Sequence, residues 1–208
     1  MSLLTNWGYT LTDVNQLPDM LTVEEFNTFT ANRYSGDVRI SNEISASCSA
    51  IREYCGWHLY PSAACELNIR MNDRRVAYIG PDLLIQLPAR YVSAVDSVAI
   101  DDVECENFSF ETNGILRVYD VNYSGLKRYT PIVVTYTAGL SADAMTGIKE
   151  LVAHRVTHAA ASSNGITSEA AGGVSITYNA NWINSARATA LPDDNKEVLA
   201  PYRVQGVF

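Results

Sequence analysis

The chain has 208 residues, 47% of them hydrophobic and 18% charged, and a formal net charge of −8 at pH 7. That length supports one sizeable core, or a core plus a smaller inserted module. No apolar run reaches the roughly 20 residues with which a helix spans a bilayer, and so acidic a chain lacks the basic face with which proteins grip nucleic acid; no membrane-spanning helix is expected and tight DNA binding is disfavoured.

Residues 1–20 have no strong periodicity and read as an extended N-terminal arm. MSLLTNWGYTLTDV has neither the basic start nor the sustained apolar run of a signal peptide, so synthesis and use in the cytoplasm are expected. LTVEEF then carries a helix start, with Thr22 as N-cap and Glu25 three residues on completing a capping box. This helix is expected to stop near Ser35-Gly36. Asp37 is placed to cap a second helix, in which Ile40, Ile44, Cys48, Ile51 and Cys55 recur at steps of three and four residues. Gly56 is its expected terminator.

The pattern changes at Pro61. As far as Gly139 it consists of short β-rich runs separated by turn residues, and residues 61–139 read as an inserted antiparallel module of about five or six strands. LLIQL (83–87) and YVSAVDSVAI (91–100) alternate apolar with polar positions. FSFET and ILRVYDV flank Asn113-Gly114, the strongest short hairpin signal, for which a type I′ turn is expected. Ser124-Gly125 marks a second turn, and IVVTYTAG (132–139) a further strand.

The helical period then returns. Ser141 or Asp143 caps a helix with Ile148, Leu151, Val152, Val156 and Ala159 on its apolar face, ending near Gly165. Next comes a hairpin over 166–179 centred on Gly172-Gly173, then a short helix in LPDDNKEVLAPY and the tail RVQGVF. The expected fold class is α+β: a small helical bundle (21–60 plus 140–208) with an inserted antiparallel β module and a protruding β-hairpin before a C-terminal helix. Two isolated strands bury too little surface to be stable, so Gly172, Gly173, Val174, Ile176 and Tyr178 are expected to pack on a neighbouring copy.

The clearest candidate for chemistry is KELVAHRVTH (149–158). His154 and His158, four apart, share a helix face with Glu150 one turn earlier. A zincin places glutamate directly after the first histidine as general base. Here that position is Arg155, and no second ligand cluster is apparent, so a metal site at His154 and His158 is rejected in favour of a helix–helix or subunit contact. Phosphate-binding loops and nucleophile elbows are absent from the sequence. The four cysteines form no CxxC pair and read as buried free thiols. The acidic run DDVECE (101–106) reads as a solvated loop or strand edge. Twelve tyrosines, mostly in the β module, suit half-buried strand positions. These readings call for no catalytic residue and no cofactor.

The order of these motifs resembles that of tailed-phage head–tail connector proteins, or neck adaptors. The resemblance runs from LTVEEFNTFT and IREYCGWHLYPS through LPARYVSAVDSVAI, NGIL and VTYTAGL to IKELVAHRVTHAA, GITSEAAGGVSITYN and LAPYRV, covering roughly residues 20–203. It implies a non-enzymatic virion protein forming a ring of about a dozen copies below the portal. Such a ring extends the DNA channel, lets double-stranded DNA through without specific binding, and offers a platform to a tail or stopper neck protein. The implied location is the virion neck, after assembly in the host cytoplasm. The C-terminal PYRVQGVF, with an aromatic, an arginine and an apolar end, suits docking in a partner's groove, so Tyr202, Arg203, Val207 and Phe208 are expected to contact the portal. Two other functions fit the residues less well: a glycan- or tail-binding module built on the β insert, and a metal-dependent hydrolase.

Overall fold

The computed structural model describes residues 2–163, 168–171, 174–177, 191 and 193–204. The chain forms two compact units: Met1–Pro18 with Cys55–Ala142 and Tyr202–Phe208, and Asp19–Tyr54 with Asp143–Pro201. The first is built on two antiparallel sheets and the second on helices, so the expected α+β class holds.

In the helical unit, α1 spans Val23–Phe29 and starts on the expected capping box: Glu25 N donates to Thr22 Oγ1 (3.1 Å), and Thr22 N donates to Glu25 Oε2 (2.9 Å). It ends earlier than its sequence suggests, because Ala31 and Asn32 adopt positive φ (49° and 61°) and turns occupy the chain up to Asp37. Asp37 accepts the Arg39 amide on Oδ1 (3.0 Å) ahead of α2 (Ile40–Cys55). All five residues of the α2 stripe are buried, and Gly56 terminates the helix at φ +77°. A 3-10 turn at Asp143–Met145 leads into α3 (Thr146–Ser163). Ile148, Leu151, Val152 and Val156 are buried as expected; Ala159 is half-buried, and Ala160 takes the next core position. Each of the buried Ile, Leu and Val side chains stabilises the unit by about 1.5–3 kcal/mol. Lys149 Nζ donates to Glu25 Oε1 at 2.6 Å, tying α3 to the capping box of α1. The hairpin forms as β11 (Ser168–Ala171) and β12 (Val174–Thr177), with Ala171 opposite Val174. The last helix, α4, spans Asp193–Leu199, and Tyr54 Oη donates to its Lys196 carbonyl (3.3 Å).

The β unit holds more strands than the periodicity marks. Strands β1 (Leu3–Leu4) and β2 (Thr10–Leu11) come from the N-terminal arm. The remainder are β3 (Ala63–Arg70), β4 (Val76–Ile79), β5 (Asp82–Gln86), β6 (Val92–Ile100), β7 (Val103–Glu104), β8 (Phe108–Phe110), β9 (Ile115–Val118) and β10 (Pro131–Ala138). One sheet has the order β1-β2-β3-β10-β6-β7 and the other β4-β5-β9-β8. In the centre, Leu67 opposes Val134 and Ile69 opposes Ile132. Alternate residues point inward, so Cys65, Leu67, Val134 and Tyr136 are fully buried.

The turns differ from expectation at two places. Asn113-Gly114 does not make a two-residue type I′ loop. Gly114 alone of the pair has positive φ (+92°), its N–H bonds the Glu111 carbonyl (3.0 Å), and Glu111 N bonds Ile115 O (2.8 Å), which makes the loop longer. A two-residue turn with positive φ at both positions lies instead between β6 and β7. There Ile100 opposes Val103, and Asp101 and Asp102 both have positive φ (55° and 62°).

Candidate docking surfaces

The described C-terminal residues are held by their own unit. Trp57, fully buried just after α2, donates its indole N–H to the Tyr202 carbonyl at 2.7 Å. The Tyr91 ring stacks between Trp57 (centroids 6.3 Å apart) and Tyr202 (5.8 Å). Arg90 Nη1 donates to the Arg203 carbonyl (3.2 Å), and Val204 N donates to the Cys55 carbonyl (2.9 Å). Burial, with smaller effects of Tyr91 and Cys55, raises the Tyr202 phenol above its ordinary pKa. Burial also pushes the Cys55 thiol up to about 12, so it stays protonated. The backbone of 202–204 is therefore anchored, while the Arg203 side chain is exposed and Tyr202 half-buried. Val207 and Phe208 lie outside the described residues, as do Gly172, Gly173, Tyr178 and the side chains of Val174 and Ile176.

A polar junction that periodicity did not flag sits beneath this strap. His58 is fully buried; its Nε2 lies 3.1 Å from the Ala138 carbonyl and its Nδ1 2.6 Å from the Tyr9 hydroxyl. A carbonyl only accepts, so Nε2 carries the proton and Nδ1 accepts from Tyr9. The Tyr9 oxygen in turn accepts from the His58 amide at 3.1 Å. The arm, the segment after α2 and the end of β10 thus meet at one satisfied network. GWHLYP, with three aromatic-type rings before a proline, was the available signal.

On α3, His154 is exposed and His158 half-buried, with their Nε2 atoms 3.2 Å apart. Burial first, then His154, lowers the His158 pKa. Arg155 turns the other way: it is half-buried, its charge disfavoured by burial and supported by Glu43 of α2. Among the described residues no group of three or more His, Cys, Asp or Glu could hold a metal ion. Cys48, Cys55 and Cys65 are buried free thiols, whereas Cys105, beside the short β7, is half-exposed because the sheet ends there. No helix among the described residues is long and apolar enough to cross a membrane.

These features define a class: a helical unit and a two-sheet unit, with buried polar groups that brace the fold. The chain belongs to the head completion protein family, a head–tail connector family, whose model matches residues 19–204. It also resembles a chain of the solved structure "Neck of empty GTA particle computed with C6 symmetry", at 18% identity and a TM-score of 0.50, covering 95% of this chain and 97% of that one. At that identity the likeness shows the fold. No curated protein matches the chain significantly.

Proposed function

We propose that the protein is a structural component of the virion neck that assembles as a ring on the portal, extends the DNA channel and offers a platform to the next tail or stopper protein. The family match over residues 19–204 is the observation that carries this reading. The sixfold symmetry applied to the neck that its fold resembles supports a ring with a subunit number divisible by six, which suits about a dozen copies. The net charge of −8 suits a channel wall past which duplex DNA moves without being held. The reading assigns the chain no reaction and no cofactor, and places assembly in the host cytoplasm.

Two contacts belong to this proposal. Tyr202 and Arg203, with Val207 and Phe208 beyond them, face the portal. The β11–β12 hairpin, a two-stranded sheet of its own among the described residues, packs on a neighbouring copy through the segment from Gly172 to Tyr178. Electron microscopy of the full chain, alone and mixed with the portal of the same particle, tests the reading. Rings stacked on the portal are expected. A protein that stays monomeric and leaves the portal bare at high concentration would overturn it.

A further inference from the structure

The six-stranded sheet is open, with β1 at one edge and β7 at the other. Open edges carry unpaired backbone groups and invite a further chain. Both edge strands are two residues long, and each exposes an apolar side chain: Leu4 is 75% exposed and Val103 67%. The pairing register places their turns at the same end of the sheet. Thr10 opposes Glu66, so the β1–β2 loop runs toward the Arg70 end of β3; Arg70 opposes Pro131, whose carbonyl accepts the Asp101 amide (3.0 Å) in the β6–β7 turn.

The two corners carry opposite charge. At the β7 corner Asp101, Asp102, Glu104 and Glu106 are all exposed. A cleft of about 330 Å³ beside them has an apolar floor that includes Ile100, Val118 and Leu126. At the β1 corner a cleft of about 420 Å³ is lined by Trp7, Arg74, Arg75 and Gln86. Arg74 is exposed. Arg75 is held by Asp73 through Nε (3.2 Å), while its buried Nη1 has no hydrogen-bond partner among the described residues. A guanidinium presents a planar fork of donors that matches a carboxylate, so the exposed Arg74 at the cleft suits an incoming acidic group, with Arg75 adding positive charge behind it.

We infer that adjacent copies join head to tail through these corners, the acidic β6–β7 turn of one copy seating against the Arg74–Arg75 cleft of the next. The inference rests on the ring reading above and adds its register. Opposite edges of one sheet form a heterologous contact, the kind that closes into rings. Chains of charge −8 repel one another at long range, so a local cationic cleft selects which faces meet. A second copy is the fitting occupant because the complementary acidic turn lies on this same chain, at the same end of the same sheet.

The test uses two variants of the full chain: Arg74→Glu, and the double variant Asp102→Asn with Glu104→Lys. Asn is chosen at 102 because it tolerates the left-handed backbone there. Sedimentation velocity and electron microscopy, with and without portal, read assembly; circular dichroism confirms folding. Each variant alone is expected to associate at least about tenfold more weakly than wild type. Mixed one to one, they should regain rings of alternating subunits. The Arg74→Glu cleft of one copy then meets the Glu104→Lys turn of the next, while the unaltered Arg74 cleft meets the native acidic turn. Wild-type assembly by both variants alone, or mixtures no better than their folded parents, overturns the inference and leaves the ring reading standing. A wild-type chain that forms no ring even on the portal overturns both.

Discussion

Tyr9→Phe removes one oxygen from the β unit and so isolates the worth of its buried network. The hydroxyl donates to His58 Nδ1 (2.6 Å) and accepts from the His58 amide (3.1 Å), in surroundings where Tyr9 is 1% and His58 0% exposed. Two hydrogen bonds contribute about 0.5–1.5 kcal/mol each, so about 1–3 kcal/mol together, and leaving a buried polar group unmatched adds about 1 kcal/mol at the low end of its range. A loss of about 2–4 kcal/mol is therefore expected, with little change in packed volume. Urea unfolding followed by fluorescence is the assay, because Trp7 and Trp57 lie in the same unit. With a slope of about 2 kcal/mol per molar, the midpoint should fall by about 1–2 M while the slope itself stays constant. In a double-mutant cycle with His58→Phe, the coupling should reach about 1 kcal/mol or more. A midpoint shift corresponding to less than about 0.5 kcal/mol would refute the assignment of this network as a brace between the arm and the sheet.

Three further outcomes follow from the geometry. Glu25 is held below its ordinary pKa chiefly by the Lys149 ammonium and then by the Thr22 amide; a depressed folded pKa gives stability that is present above the unfolded value near 4.3 and is lost as pH falls through the folded value. Glu25→Gln should therefore flatten the stability curve below about pH 5, by less than about 1 kcal/mol because the pair is partly exposed, as read from urea midpoints across pH. Gly114→Ala should destabilise the β unit by about 2–4 kcal/mol, since the residue needs φ +92° and an added Cβ would overlap the Ala89 carbonyl; thermal unfolding reads it. Tyr202→Ala should cost about 1–2 kcal/mol through the lost ring stack and shift Trp57 emission to the red, whereas an unchanged spectrum would detach Tyr202 from the Trp57–Tyr91 stack.

Local chemistry was the legible part of the sequence. The Thr22–Glu25 capping box, the α2 stripe and Gly56 each act over a few residues, and each is where the sequence places it. Strand β3 alternates faithfully, with Ala63, Cys65, Leu67 and Ile69 buried, but two of those four are small and the run gives a weak signal beside its valine-rich partner β10. The short strands of the arm have no period to detect. Tyr9 and Leu11 are core residues because of partners more than 40 positions away. The turns show the same limit. Asn113-Gly114 carries the composition of a type I′ loop, yet Leu87 N and Val92 N bond the carbonyls of Gly114 and Thr112, and these tertiary contacts accompany a longer loop. Asp101-Asp102 lacks that composition but takes positive φ at both positions, where Asp is among the few non-glycine residues tolerated.

The stretch KELVAHRVTH shows how architecture absorbs residues that read as chemistry. Lys149 bonds the α1 capping box, Val152 and Val156 fill the core, and Arg155 is drawn inward with Glu43 as its counter-charge. Glu150 and His154 are exposed, and His158, half-buried, keeps its Nε2 3.2 Å from that of His154. The charge of the whole chain poses the complementary problem. In the proposed ring, about a dozen copies of a −8 chain bring together about a hundred negative charges, which suits passage of DNA and opposes assembly. Screening relieves that repulsion while weakening exposed ion pairs, so the two effects of salt run in opposite directions. If long-range repulsion dominated, assembly would strengthen steadily with salt. With Arg74 and the acidic turn setting the register, ring formation should instead pass through an optimum at intermediate ionic strength, and Arg74→Glu should convert it to a monotonic rise.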